Sequence, residues 1–105
     1  MSIDSSTTQA AIRALAEAAP PDTQILLFGS HARGAALADS DLDFLVIEPA
    51  VEDRAQEMVR LRRTLRPLRV AADILVYSRD EVARWGSQSG TALYWALKEG
   101  RVVHG

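Results

Sequence analysis

The stretch Leu26–Glu48, "LLFGSHARGAALADSDLDFLVIE", decides the fold, because it contains parts of two strand-like runs and the segment between them. The run QILLF at residues 24–28 ends at Gly29-Ser30, and the run DLDFLVI at residues 41–47 begins with two aspartates. Short apolar runs bounded by turn residues are typical of buried strands. Two acidic residues inside such a strand therefore need a chemical reason.

The rest of the chain alternates helical and strand-like patterns. A first helix follows Ser6 and ends before Pro20-Pro21, and a second, with Met58, Val59 and Leu65 on its apolar side, ends at Pro67. The later elements are a strand at residues 71–77, a helix opened by a Ser78–Glu81 capping box, a helix at 91–99 and an edge strand RVVH. This order predicts an α/β fold, a sheet covered by helices, and leaves the strand directions open.

Composition limits the possible functions. A length of 105 residues predicts a single domain over residues 1–105. Twelve basic and fourteen acidic residues give a net charge of -2, which argues against direct nucleic-acid binding, and the absence of cysteine excludes disulfides and thiolate metal sites. Without a signal peptide or a membrane-spanning run, we expect a cytoplasmic protein that has no contact with membranes.

Three aspartates are candidates for a metal site. Asp41 and Asp43 project to the same side of one strand with Cα atoms about 6.6 Å apart, and Asp73 stands inside the next strand. If these strands are neighbours, the carboxylates converge, and each pair about 5 Å apart repels by roughly 3 kcal/mol at an effective dielectric constant of about 20. Oxygen ligands select Mg²⁺ or Mn²⁺, and two such ions serve phosphoryl and nucleotidyl transfer.

The turn after the first strand is a candidate phosphate site. Gly29 has no Cβ to obstruct a triphosphate, Ser30 offers a hydroxyl, and both lie where a strand turns into a predicted helix whose free N–H groups attract anions. Arg33, one turn later, can reach the same phosphates. A Gly-Ser turn or an Asp-x-Asp pair alone is usually structural. Their occurrence together, in this order and with Asp73, favours a nucleotide site.

These residues resemble the signature of the DNA polymerase β-like nucleotidyltransferases. Gly29-Ser30, ten intervening residues and Asp41-Leu42-Asp43 match it, and "GSHARGAALADSDLDFLV" is similar to the minimal nucleotidyltransferase (MNT) branch. The closing KEGRVVHG is similar to the ending of that branch, whereas His31 departs from the arginine often found there. The resemblance covers essentially the whole chain and implies the small mixed sheet of the polymerase β-like fold.

The resemblance also implies an activity and a role for each residue. Asp41 and Asp43 would hold two Mg²⁺ ions, with Mn²⁺ as an alternative, and Asp73 would complete one metal site and help deprotonate the acceptor hydroxyl. Gly29 and Ser30 would hold the β- and γ-phosphates of ATP. The reaction implied is transfer of AMP from ATP to a hydroxyl, with release of pyrophosphate.

The acceptor is the open question, because 105 residues leave no room for a second domain to hold it. The minimal branch usually pairs, as an antitoxin, with a helical HEPN-domain toxin, and some members add AMP to a tyrosine of that partner, which implies a hetero-oligomer. One alternative is an antitoxin that neutralises its partner by contact alone. Another, a transferase resembling the aminoglycoside-modifying enzymes, lacks its C-terminal helical domain here.

Two further groups of residues favour structural roles. The aromatic side chains near the C-terminus, Trp85, Tyr94 and Trp95, are expected to pack in the core and not to stack on bases. The arginine-rich segment RLRRTLRPLR at residues 60–69 is expected to be a solvated helix face, because acidic residues lie close to it in the sequence.

Overall fold

The computed structural model of the protein describes residues 6–29 and 42–105. Capped helices alternate with apolar strands along these two segments, in the order that the hydrophobic periods predict. In chain order the elements are helix α1 (Ser6–Ala18), strands β1 (Gln24–Phe28) and β2 (Leu42–Glu48), helix α2 (Arg54–Thr64), a 3₁₀ turn (Arg66–Leu68), strand β3 (Ala72–Ser78), helices α3 (Arg79–Trp85) and α4 (Ala92–Glu99), and strand β4 (Arg101–His104).

The four strands form one mixed sheet in the order β3-β2-β1-β4. Strand β1 pairs antiparallel with both β2 and β4, whereas β2 and β3 run parallel. The parallel pair needs a crossover connection, and α2 provides it. The sheet with its covering helices confirms the predicted α/β class and the mixed sheet that the resemblance implied.

The sheet is covered on both faces because its strands are apolar on both sides. On one face Phe44 and Ile74 pack against Leu15 of α1 and Leu61 of α2. On the other face Leu45 packs with residues that include Leu93 and Ala96 of α4. Alternate side chains of a strand point to opposite faces, so each residue's position along β2 fixes which of the two cores it joins.

Side-chain caps fix where three of the helices begin. Asp53 accepts a hydrogen bond from the Gln56 backbone N–H at 3.1 Å, and Thr91 accepts one from Tyr94 N–H at 3.1 Å. The capping box predicted from Ser78 and Glu81 is present in both directions at the start of α3. In the described part of the chain, no helix is long and apolar enough to cross a bilayer.

Two predictions of burial are wrong. Val59, expected on the apolar side of the second helix, is 50% exposed, and Leu61 is buried instead. Trp95 of α4 and Trp85 at the end of α3, expected in the core, are 48% and 38% exposed. Val59 and Trp95 each lie two positions from a buried leucine, about 200° around the helix, so they face solvent.

The arginine-rich segment at residues 60–69 lies on the surface, as predicted. All its arginines are exposed, whereas Leu61 and Leu65 are buried. Arg60 makes an ion pair with Glu57 of the same helix. The segment is therefore a solvated face that is partly neutralised by its own acidic neighbours.

Candidate active site

Asp43 and Asp73 are neighbours across the parallel strands β2 and β3. They are register partners, so their Cα atoms lie about one strand spacing, roughly 4.8 Å, apart. Both belong to the sheet face that α3 and α4 cover, because Leu45 and Leu75, two positions further along each strand, join that core. Asp43 is partly buried and Asp73 is exposed. The convergence that the sequence predicted only conditionally is present for this pair.

Gly29 brings the backbone directly against this pair. It follows Phe28, the last residue of β1 and the register partner of Asp43. Its φ of +77° lies in the left-handed region, and a Cβ there would collide with Asp43 Oδ2 and lie 3.2 Å from Asp43 Cγ. Only glycine combines this backbone conformation with so close an approach to the carboxylate.

The three residues meet at one end of the sheet. β1 ends there, while β2 and β3 begin there, so the turn after β1 and the first residues of the two parallel strands share one edge. The other predicted site residues, Ser30, Arg33 and Asp41, lie outside the described residues. The structure thus brings together Gly29, Asp43 and Asp73 out of the predicted set.

The donor set at this edge fits a hard divalent cation. Two carboxylates project side by side from adjacent strands, and the Asp43 carboxylate fills the space that a side chain at Gly29 would need. Across residues 6–29 and 42–105, no three His, Cys, Asp or Glu side chains are grouped to hold a metal ion. The described pair comprises two of the three residues predicted as metal ligands, and the third, Asp41, lies outside the described residues.

Sequence reasoning missed another acidic residue, Glu48, at the opposite end of β2. It lies five positions from Asp43, which is about 16 Å along a strand, so it belongs to a different region. Glu48 is 2% exposed, and burial, together with a hydrogen bond to Glu57, raises its pKa to about 8. The available signal was an acid ending an apolar strand immediately before Pro49.

Comparison with protein families gives one match that covers most of the chain. The model of the nucleotidyltransferase domain matches residues 9–102. That range includes every residue proposed from the sequence for the site. A search of the curated proteins finds no significant match.

Comparison with solved structures shows the same fold. A toxin-antitoxin complex with AMP-PNP is 19% identical and superposes with a TM-score of 0.65, covering 92% of this chain and 72% of that one. A mutant of the toxin-antitoxin pair MntA-HpeT is 16% identical, with a TM-score of 0.59 and coverages of 90% and 69%. A Sulfolobus solfataricus protein described as a nucleotidyltransferase is 26% identical, with a TM-score of 0.51 and coverages of 76% and 80%.

Proposed function

The chain belongs to the nucleotidyltransferase domain family, and on that premise we propose that it is an MNT antitoxin that transfers AMP from ATP to a hydroxyl of a partner toxin. The observation that carries the proposal is the in-register pair Asp43 and Asp73, with Gly29 packed against the Asp43 carboxylate. A structural role for both acids is disfavoured, because like charges directly opposite each other on neighbouring strands destabilise a sheet.

Each residue has a definite part in the proposed reaction. Nucleotidyltransferase domains generally use divalent metals, and here Asp43 and Asp73, together with Asp41, would hold Mg²⁺. The metal would supply positive charge to the phosphates as the bond to pyrophosphate breaks. Gly29 has no Cβ to keep a phosphate away from its backbone, and Ser30 and Arg33 would bind the same phosphates.

In this proposal Asp73 receives the acceptor. It is exposed and lies on β3, the outermost strand on its side of the sheet, so an incoming hydroxyl can reach it from solvent. Its carboxylate would accept the hydroxyl proton as the acceptor oxygen attacks the α-phosphate of ATP. The oxygen gains AMP, and pyrophosphate leaves.

The partner is proposed from the kind of proteins that share the fold. Two of the structures similar to this chain are toxin-antitoxin complexes, and one of them carries AMP-PNP, an ATP analogue. We propose a HEPN-domain toxin as the partner, a tyrosine of that toxin as the acceptor, and the cytoplasm as the place where they meet.

The test is to mix the chain with a HEPN-domain protein encoded by a neighbouring gene, ATP and Mg²⁺, and to measure the intact mass of that protein. The wild-type chain should add the mass of AMP, and Asp73→Asn should abolish the addition while keeping most of the nucleotide binding. Asp80→Asn, an exposed carboxylate in the first turn of α3, is the matched control and should behave as the wild type.

The main alternative is an antitoxin that acts by contact alone. It would be favoured if the toxin gained no AMP and if wild type and Asp73→Asn neutralised the toxin equally in cells. Binding of ATP that is the same with and without Mg²⁺, in wild type and in Asp43→Asn, would separately contradict the metal site.

A further inference from the structure

Glu48 is a buried carboxyl group that faces a groove remote from the nucleotide site. It ends β2, is 2% exposed, and its Oε2 has no hydrogen-bond partner in the described structure. The groove that it lines has a volume of about 610 Å³ and runs between the end of β2 and helix α2. A buried acceptor left without a donor is costly, so this oxygen points to a ligand.

The side chains around Glu48 do not satisfy that oxygen. The protonated Glu48 carboxyl donates a hydrogen bond to the Glu57 carboxylate, so a second acid lies beside the first. Arg60, the nearby cation, directs Nε and Nη2 to Glu57 at 2.8 and 2.6 Å and donates Nη1 to the Ala18 carbonyl at 2.9 Å. Its guanidinium thus donates to Glu57 and to the end of α1, and none of these hydrogen bonds reaches Glu48.

The rim of the groove adds further negative charge. Glu52 and Asp53 lie on it in the turn before α2, and Arg63 on α2 is the other charged residue of the lining. Asp53 also caps α2 through its Oδ1, which is 3.1 Å from the Gln56 backbone nitrogen. The groove therefore has acidic groups both at its base and at its mouth.

We propose that this groove is a binding site for a primary ammonium group, carried by a free alkylamine or by a lysine side chain. An ammonium has three N–H donors, so it can bind the Glu57 carboxylate and, when the buried Glu48 side chain turns into the groove, the unpartnered Glu48 oxygen as well. A metal ion fits less well, because no three acidic or imidazole side chains are grouped for metal binding anywhere in the described segments. The site is independent of the nucleotidyltransferase proposal.

Binding should release a proton. Without a ligand, burial and the neighbouring Glu57 raise the pKa of Glu48 to about 8, so its carboxyl is mostly protonated at pH 7. The charged groups that face it are Glu57 and Arg60 of α2, and Glu52, Asp53 and Arg63 complete the lining. An ammonium placed against Glu48 favours its ionised form, and the proton leaves to solvent.

Calorimetry at fixed ionic strength tests the site with 1,4-diaminobutane and with N-acetyl-lysine amide as probes. Titrations at pH 7 in two buffers of different ionisation enthalpy give both the affinity and the number of protons released. The wild-type chain should bind saturably and release close to one proton per molecule of probe bound. Glu48→Gln keeps the shape and neutrality of the unliganded residue, and it should release no proton and bind about tenfold more weakly or worse.

The control variant is Asp80→Asn, which removes one carboxylate from α3 on the opposite face of the sheet. It should bind like the wild type, which separates a specific site from general attraction to an acidic protein. The probe that binds more tightly identifies the source of the ammonium. The proposal is overturned if neither probe binds saturably, or if Glu48→Gln binds with wild-type affinity or releases the same number of protons.

Discussion

At the scale of single residues, Gly29 illustrates how a backbone constraint and a chemical site coincide. Its left-handed φ of +77° and its contact with the Asp43 carboxylate each exclude a side chain, for different reasons. Gly90 also has a positive φ, of +90°, but a Cβ there would meet nothing within 4 Å. Replacing Gly90 therefore tests the backbone conformation alone, whereas replacing Gly29 tests the backbone conformation together with the contact with Asp43.

We expect Gly29→Ala to destabilise the protein by about 2 kcal/mol or more, and Gly90→Ala by only about 1 kcal/mol, the cost of a left-handed alanine. Urea unfolding measures both values. Nucleotide affinity should fall in Gly29→Ala and stay unchanged in Gly90→Ala. Equal losses of stability in the two variants would show that the contact with Asp43 contributes nothing.

Glu48 gives the fold a specific dependence on pH. Its pKa is raised to about 8 in the folded protein, so the folded state keeps a proton that the unfolded chain loses above its ordinary value of 4.5. The contribution of Glu48 to the free energy of unfolding should therefore be largest below pH 4.5. Between pH 4.5 and pH 8 this contribution should decrease by at most about 1.4 kcal/mol per pH unit.

Glu57 has the opposite effect on the pH dependence of stability, and its effect falls at lower pH. Arg60 lowers its pKa to about 2, so its contribution is present above the ordinary value of 4.5 and is lost below it. Between pH 5 and 8 the expected slope thus comes from Glu48. Thermal melts across this range should show a smaller decrease of Tm in Glu48→Gln than in the wild type, and identical slopes would contradict the assignment.

At the scale of elements, local sequence signals account for most boundaries. The Ser78–Glu81 capping box was visible in the sequence and begins α3 as expected. Arg54 of α2 then joins this helix to the sheet, because its Nε donates to the Val76 carbonyl at 2.9 Å and its guanidinium pairs with Glu81. The cap residue Glu81 therefore also connects two helices.

Replacing Ser78 by alanine should cost about 1 kcal/mol of stability, because the Glu81 backbone N–H at the start of α3 loses its acceptor. Ser87→Ala, in the exposed turn after α3, is the matched control and should change stability by less than about 0.5 kcal/mol. Chemical denaturation of the two variants makes the comparison. A loss as large in Ser87→Ala would mean that the cap is not the cause.

The sequence predicted the elements better than it predicted their faces. Apolar runs and caps located β1 and α3 correctly, since these signals depend on neighbouring residues. The exposure of Val59 and Trp95 depends on the angle at which each helix meets the sheet, which no local pattern contains. The same holds for the site, because placing Asp73 beside Asp43 required the strand order, and the unpaired oxygen of Glu48 required the packed structure.

At the scale of the whole molecule, the site carries a cost in stability that its function would explain. Asp43 and Asp73 lie side by side on adjacent strands, and without a cation their like charges oppose strand pairing. Asp73→Asn should therefore leave the Tm measured in EDTA unchanged or slightly raised, while it suppresses transfer of AMP. A Tm lowered by many degrees in the absence of metal would instead assign Asp73 a structural role.

The parallel pairing of β2 and β3 also has a consequence for folding kinetics. Asp43 and Asp73 are thirty positions apart in the chain and meet only when the crossover through α2 has closed. The chain must lose the conformational entropy of closing this loop before the pairing of the strands can stabilise it. We therefore expect Asp43 and Asp73 to come together late in folding. If ATP binds across these two strands, as proposed, its binding would oppose their separation and prolong the lifetime of the folded state.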